Sequence, residues 1–186
     1  MIRTFVAIPL PAAWAAYAAR VSAALAGRVR GVSWVREENL HLTIRFLGDL
    51  GESGVARLGE AVARAADTLH APVASPGALG AFPSLERPRV VWIGVATGRE
   101  GLTAVGAAVN AAIDRAGFER ADKPFRPHVT LGRVRPGARG LEALRAAVLP
   151  EPPSPASLDR IVVMKSDLHP SGARYTALRE VRLPPP

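Results

Sequence analysis

Apolar positions along the chain follow two periods. TFVAIPL, residues 4–10, is an almost unbroken apolar run that predicts a strand, and PAAWAAYAARVSAALAG (11–27) continues at helical spacing with Pro11 in its first turn and Gly27 at its end. VSWVREENLHLTIRFLGDL (32–50) predicts a short strand, a turn at 37–39 and a longer strand from His41. Residues 52–70 return to helical spacing. PGALGAFPSLERPRVVWIGVAT predicts a loop and then a strand over about 89–96, and REGLTAVGAAVNAAIDRAGF (99–118) a third long helix. FRPHVTLGRV is then a strand, 139–149 a short helix, and LPEPPSPAS (149–157) a proline-dense connector too short to separate domains. LDRIVVMKSDL and ARYTALREVRL predict two strands joined by the turn HPSG at 169–172.

Strands occur in adjacent pairs rather than in regular alternation with helices, which favours an α+β protein with antiparallel sheet. His41 opens HLTI and His128 opens HVTL, 87 positions later, each half having its own helices. Internal duplication explains this economically. The expected organisation is a single domain, 1–186, of two intertwined lobes with one His-x-Thr motif in each.

Composition narrows the chemistry. The chain has no cysteine, so thiolate nucleophiles, disulfides and cysteine-based metal sites are excluded. No apolar run approaches the roughly 18 to 20 residues of a membrane span, and prolines 9 and 11 interrupt the N-terminal stretch before a signal core forms. A cytoplasmic protein is expected. The formal charge is +8, and of 24 basic residues all but Lys123 and Lys165 are arginine. Guanidinium forks suit phosphate, so an anionic partner such as RNA fits; an arginine-rich coding bias explains the same composition equally well.

Successive strand side chains point to opposite faces, so His41 and Thr43 share one face and Leu42 and Ile44 the other. His128 and Thr130 repeat this against Val129 and Leu131. Facing lobes would then offer two imidazoles and two hydroxyls to one cleft. Imidazole titrates near neutral pH, so one copy can accept a proton from water while the other protonates a leaving oxygen. Threonine hydroxyls can donate to phosphoryl oxygens. This set suits phosphodiester hydrolysis without a metal, and neither motif has a carboxylate at ligand spacing. Arg45, at i+4 from His41, shares its face on a straight strand. Arg133, at i+5 from His128, reaches the cleft only if the strand is irregular near Gly132. A lone His-x-Thr is usually only a polar pair on a solvated face; the matched second copy makes the catalytic reading the stronger one.

The remaining candidates favour packing. Trp14 and Trp92 lie in apolar patterns that predict core, and His70 and His169 read as surface residues. Trp34 and Phe125, each just ahead of a motif, are candidates to stack a base, with core packing the competing reading.

RTFVAIPLP, ENLHLTIRFLG, GAFPSLERPRVVWIGV, FRPHVTLGRV and SDLHPSGARYTAL, in that order, resemble the characteristic segments of the two-histidine (2H) phosphoesterase superfamily. Within it they are most similar to the RNA 2′,3′-cyclic phosphodiesterases, also called 2′-5′ RNA ligases. The resemblance implies a bilobal, pseudo-symmetric LigT-like fold, with antiparallel sheets lining a central cleft and helices outside. It implies hydrolysis of RNA or nucleoside 2′,3′-cyclic phosphates to 2′-phosphates with no cofactor, and in some members 2′-5′ ligation of RNA ends. Carried over by position, His41 and His128 become the acid–base pair, Thr43 and Thr130 phosphate holders, and Arg133 a phosphate ligand. His128 is assigned as base and His41 as acid, in a monomer with no obligatory protein partner. The alternatives are a relative acting on another cyclic or small nucleotide, and a non-catalytic module that binds RNA ends.

Overall fold

The computed structural model describes residues 1–170 and 172–186. Its elements run β1 (Ile2–Pro9), α1 (Ala12–Ala26), β2 (Arg30–Trp34), β3 (His41–Leu50), α2 (Glu52–Ala66), β4 (Val73–Ala74), β5 (Pro76–Phe82), β6 (Val90–Val95), α3 (Arg99–Arg115), β7 (Val129–Arg139), α4 (Glu142–Arg145), β8 (Ala156–Ser157), β9 (Arg160–Asp167) and β10 (Arg174–Arg182). The α+β, antiparallel architecture matches the expectation. Of the HPSG turn, Ser171 lies outside the described residues.

One sheet organises the molecule, in the order β10-β9-β1-β3-β7-β6-β5, with β2 also pairing along β7. All of its pairings are antiparallel. The two motif strands are neighbours at its centre, yet a single residue pair, Leu42 with Val129, joins β3 to β7. Further along β7 its edge passes to β2, where Trp34 pairs with Gly132. Beyond Thr43, β3 therefore pairs with β1 alone among the described strands, and the sheet opens there.

The apolar face of this sheet is covered by the helices. Val6, Ile8, Leu42, Val129 and Leu131 are fully buried with Trp14 and Tyr17 of α1, Leu58 and Val62 of α2, and Leu102 and Val109 of α3. Burying each such side chain contributes roughly 1.5–3 kcal/mol before entropic costs, so this layer fixes where the opposite, polar face must lie. Trp14 is core as expected.

Three sequence expectations change. Residues 76–82 form β5 rather than a loop, because the tertiary fit uses what looks like a breaker: any side chain at Gly80 would collide with the Trp92 ring, and one at Gly77 with the backbone of β6. The helix placed at 139–149 is the single turn α4, since β7 continues through Pro136 and Gly137 to Arg139. The proline-dense connector contributes β8, two residues paired with β4.

Candidate active site

The pair Leu42–Val129 is the pivot of the site. Both side chains are buried on the helix face, so their neighbours His41, Thr43, His128 and Thr130 project to the other side. Antiparallel sense sets His41 across from Thr130 and Thr43 across from His128. All four line a cleft of about 1240 Å³ together with Arg133, Phe82 and Tyr175. The sequence pattern is thus assembled into one constellation by a single rung of sheet.

The two imidazoles are held alike. Nδ1 of His41 lies 2.7 Å from the carbonyl oxygen of Asn39, and Nδ1 of His128 lies 2.7 Å from that of Arg126. A carbonyl only accepts, so each Nδ1 carries the proton and each Nε2 is left for the cleft. Asn39 is itself fixed, its Nδ2 donating to the carbonyl of Ala173 at 2.8 Å. Aromatic rings back both histidines. Phe5 and Tyr175 lie 5.0 and 5.4 Å from the His41 ring, Phe82 and Trp92 5.1 and 6.1 Å from the His128 ring. Burial accordingly pushes both imidazoles below the ordinary range, against the opposing effect of each carbonyl acceptor, and the charge of His128 lowers His41 further. Burial likewise raises the Tyr175 phenol, while Arg133 and Arg3 oppose the rise.

The two arginines show what strand irregularity decides. In β7 the partner sequence jumps from Gly132 opposite Val91 to Thr130 opposite Trp92, so Leu131 is an extra residue. That bulge brings Arg133 to the face of Thr130, as the i+5 spacing required. A matching shift occurs in β3, where Ala7 faces Thr43 and Val6 faces Arg45, leaving Ile44 extra. Parity therefore fails for Arg45. It turns to the helix side, its side chain 4% exposed, and Nη1 reaches Asp114 of α3 at 2.6 Å. Arg45 borders the cleft, but its charge is committed to that ion pair.

The same shift turns Phe46 outward. By position Phe46 is the counterpart of Arg133, five residues beyond its histidine, and it is 62% exposed with its ring 5.6 Å from Phe5. Sequence reading passed over it because straight-strand parity puts it on the opposite face. Tyr175 was missed for another reason: it meets His41 from three strands away, which no local spacing reveals. Both stacking candidates take part in packing. Trp34 does not line the cleft and packs against the core beside Gly132. Phe125 borders the cleft, yet its ring lies over Gly106 of α3, where any side chain would collide with it.

An antiparallel α+β sheet carrying two His-x-Thr strands at its centre defines a class, and comparison with known proteins agrees: residues 9–170 match the family model of the 2'-5' RNA ligase superfamily. The chain belongs to that family. It is 31% identical over 179 residues to the RNA 2',3'-cyclic phosphodiesterase of Thermotoga maritima, covering 96% of this chain and 94% of that protein. The corresponding protein of Aeropyrum pernix is 41% identical over 110 residues, a match spanning 59% of this chain and 61% of the relative. Among solved structures, E. coli LigT complexed with 3'-AMP superposes with a TM-score of 0.76 at 25% identity, over 98% of both chains. Among the described residues no helix is long and apolar enough to cross a membrane.

Proposed function

We propose that the protein is an RNA 2′,3′-cyclic phosphodiesterase in which His41 and His128 are the acid–base pair. The observation that carries this is the pair of imidazoles fixed at Nδ1 by backbone carbonyls, with Thr43, Thr130 and Arg133 on the same face. The names of the relatives support the substrate. In the proposed reaction Nε2 of neutral His128 takes a proton from water, the water oxygen attacks phosphorus, and the bond to O3′ breaks as protonated His41 supplies its proton. The product is a 2′-phosphate. Thr43 and Thr130 donate to the non-bridging oxygens and Arg133 offsets their charge; Arg45 takes no part. Deep burial makes His41 reluctant to hold its proton in the free enzyme, and the phosphate anion supplies the missing counter-charge. The reading includes one domain, 1–186, whose lobes meet at Leu42–Val129, acting as a cytoplasmic monomer; 2′-5′ ligation would use the same proton transfers with a 5′-hydroxyl in place of water.

The test is incubation with 2′,3′-cyclic AMP in EDTA. The expected product is 2′-AMP; formation of 3′-AMP, or no turnover, rejects the reading.

Two further outcomes follow from the site. One histidine must be protonated while the other is neutral, and both lose their protons below the usual 6.5 or so. A depressed value means the acid deprotonates early as pH rises, so kcat/KM should peak on the acidic side of about 6.5 and fall above it. A maximum above pH 8 would contradict this; the two limbs belong to the pair and not to single residues. Phe46 concerns binding. Of the large apolar side chains exposed in the described structure, it alone lines the cleft, and stacking of a base on an aromatic ring is worth about 1–3 kcal/mol. Phe46→Ala should therefore raise KM for 2′,3′-cyclic AMP about 5- to 150-fold with kcat little changed, as initial-rate kinetics would show.

A further inference from the structure

The cleft is larger than the chemistry at its histidines requires. Ligand pockets for small molecules occupy about 300–1,000 Å³, and this one reaches about 1240 Å³ because it continues past Thr43 into the opening of the sheet. Leu47 and Leu50 of β3, Arg57 of α2 and the segment 117–126, between α3 and β7, line it there. Arg57, Arg120 and Lys123 line this arm. None of the three has an ion-pair partner within 4.0 Å in the described structure. Arg57 is instead held over the ring of Phe118, 4.8 Å from its centroid. Glu119 and Asp122 also border the cleft, and they leave it cationic, because Arg89 and Arg133 line it as well. A cyclic phosphodiester carries one negative charge, which Arg133 already faces. The cations of the arm answer to further anionic groups spaced along a chain.

We propose that this arm is a subsite for the sugar–phosphate backbone on the 5′ side of the cyclic end, so that oligoribonucleotides are preferred over mononucleotides. The proposal rests on the phosphodiesterase reading above. Unpaired cations along a groove are the usual electrostatic footprint of single-stranded nucleic acid, and their contribution weakens with salt.

The experiment compares 2′,3′-cyclic AMP with a five-nucleotide RNA ending in a 2′,3′-cyclic phosphate, for the parent and for R120E/K123E, at 50 and 200 mM salt. Binding of a fluorescein-labelled five-nucleotide RNA ending in a 2′-phosphate is followed by anisotropy alongside. The parent should favour the RNA at least tenfold in kcat/KM at low salt, and two backbone contacts would reduce that preference about sevenfold at high salt. The double variant should lose most of the preference while turning over the mononucleotide within twofold of the parent. Equal efficiency of the parent on both substrates, or equal losses on both in the variant, overturns the subsite and leaves the enzymatic reading standing. If neither substrate is turned over, the enzymatic reading falls, and anisotropy decides the subsite: RNA binding that R120E/K123E leaves unchanged overturns it, and binding weakened about tenfold or more supports it.

Discussion

His41→Ala and His128→Ala should each lower kcat/KM on 2′,3′-cyclic AMP by about 10²–10⁴-fold, the range that positioned general acids and bases typically supply. The reason lies in how each imidazole is held. With Nδ1 bound to a carbonyl and aromatic rings packed at its sides, each Nε2 is fixed at the cleft, and no other titratable side chain of the described structure stands beside it in the same arrangement. In the proposed mechanism the two groups act on one transition state, so the double variant should lose little more than the worse single one. His70→Ala is the control, because that exposed histidine, outside the cleft, bonds among the described residues only to the carbonyl of Pro185. Near-parental rates from either His41→Ala or His128→Ala, with circular dichroism confirming a folded protein, would sink the two-histidine mechanism.

Asp114→Ala should be the most damaging change to stability among the polar residues. Arg45 is almost wholly buried, and its Nη2 has no hydrogen-bond partner among the described residues, so Asp114 is its main compensation. Removing one member of a buried pair costs about 3–5 kcal/mol when both are inaccessible. Asp114 is a third exposed, which allows water to replace part of its effect, so about 2–3 kcal/mol is expected. For a chain of this length that is a fall in Tm of roughly 5–10 °C. Pairing the change with Arg45→Met should recover most of the loss, since an apolar replacement for a buried ion pair is often neutral. Activity supplies a second readout. Were Arg45 a phosphate ligand, Arg45→Met/Asp114→Ala would lose turnover even with stability restored; the ion-pair assignment expects turnover to survive.

These two cases separate what is local from what is not. His41, Thr43, His128 and Thr130 were legible because strand parity is a property of the backbone alone: side chains two apart share a face wherever the strand is regular. The need for an irregularity beside Gly132 was legible too, since an i+5 arginine cannot otherwise join an i+2 threonine. The matching irregularity at Ile44 was not. HLTIRF reads as unbroken strand, and only the register with β1 adds the extra residue that sends Arg45 inward and Phe46 outward. β5 was hidden for a related reason, because Gly77 and Gly80 look like loop residues until the close approach of β6 and the Trp92 ring explains them.

The amino-acid sequence by itself determined the antiparallel α+β class, the two polar pairs backed by apolar ones, and the ordered segments shared with a known family. The first two depend on periods of two or 3.6 residues, which neighbouring residues enforce; the third rests on the identity of the residues themselves. The tertiary structure decided which aromatic rings surround the histidines, which arginine faces the cleft beside them, and how far that cleft extends. Those outcomes turn on strand register and on contacts between residues far apart in the chain, where one inserted residue reverses a face and no local pattern records it.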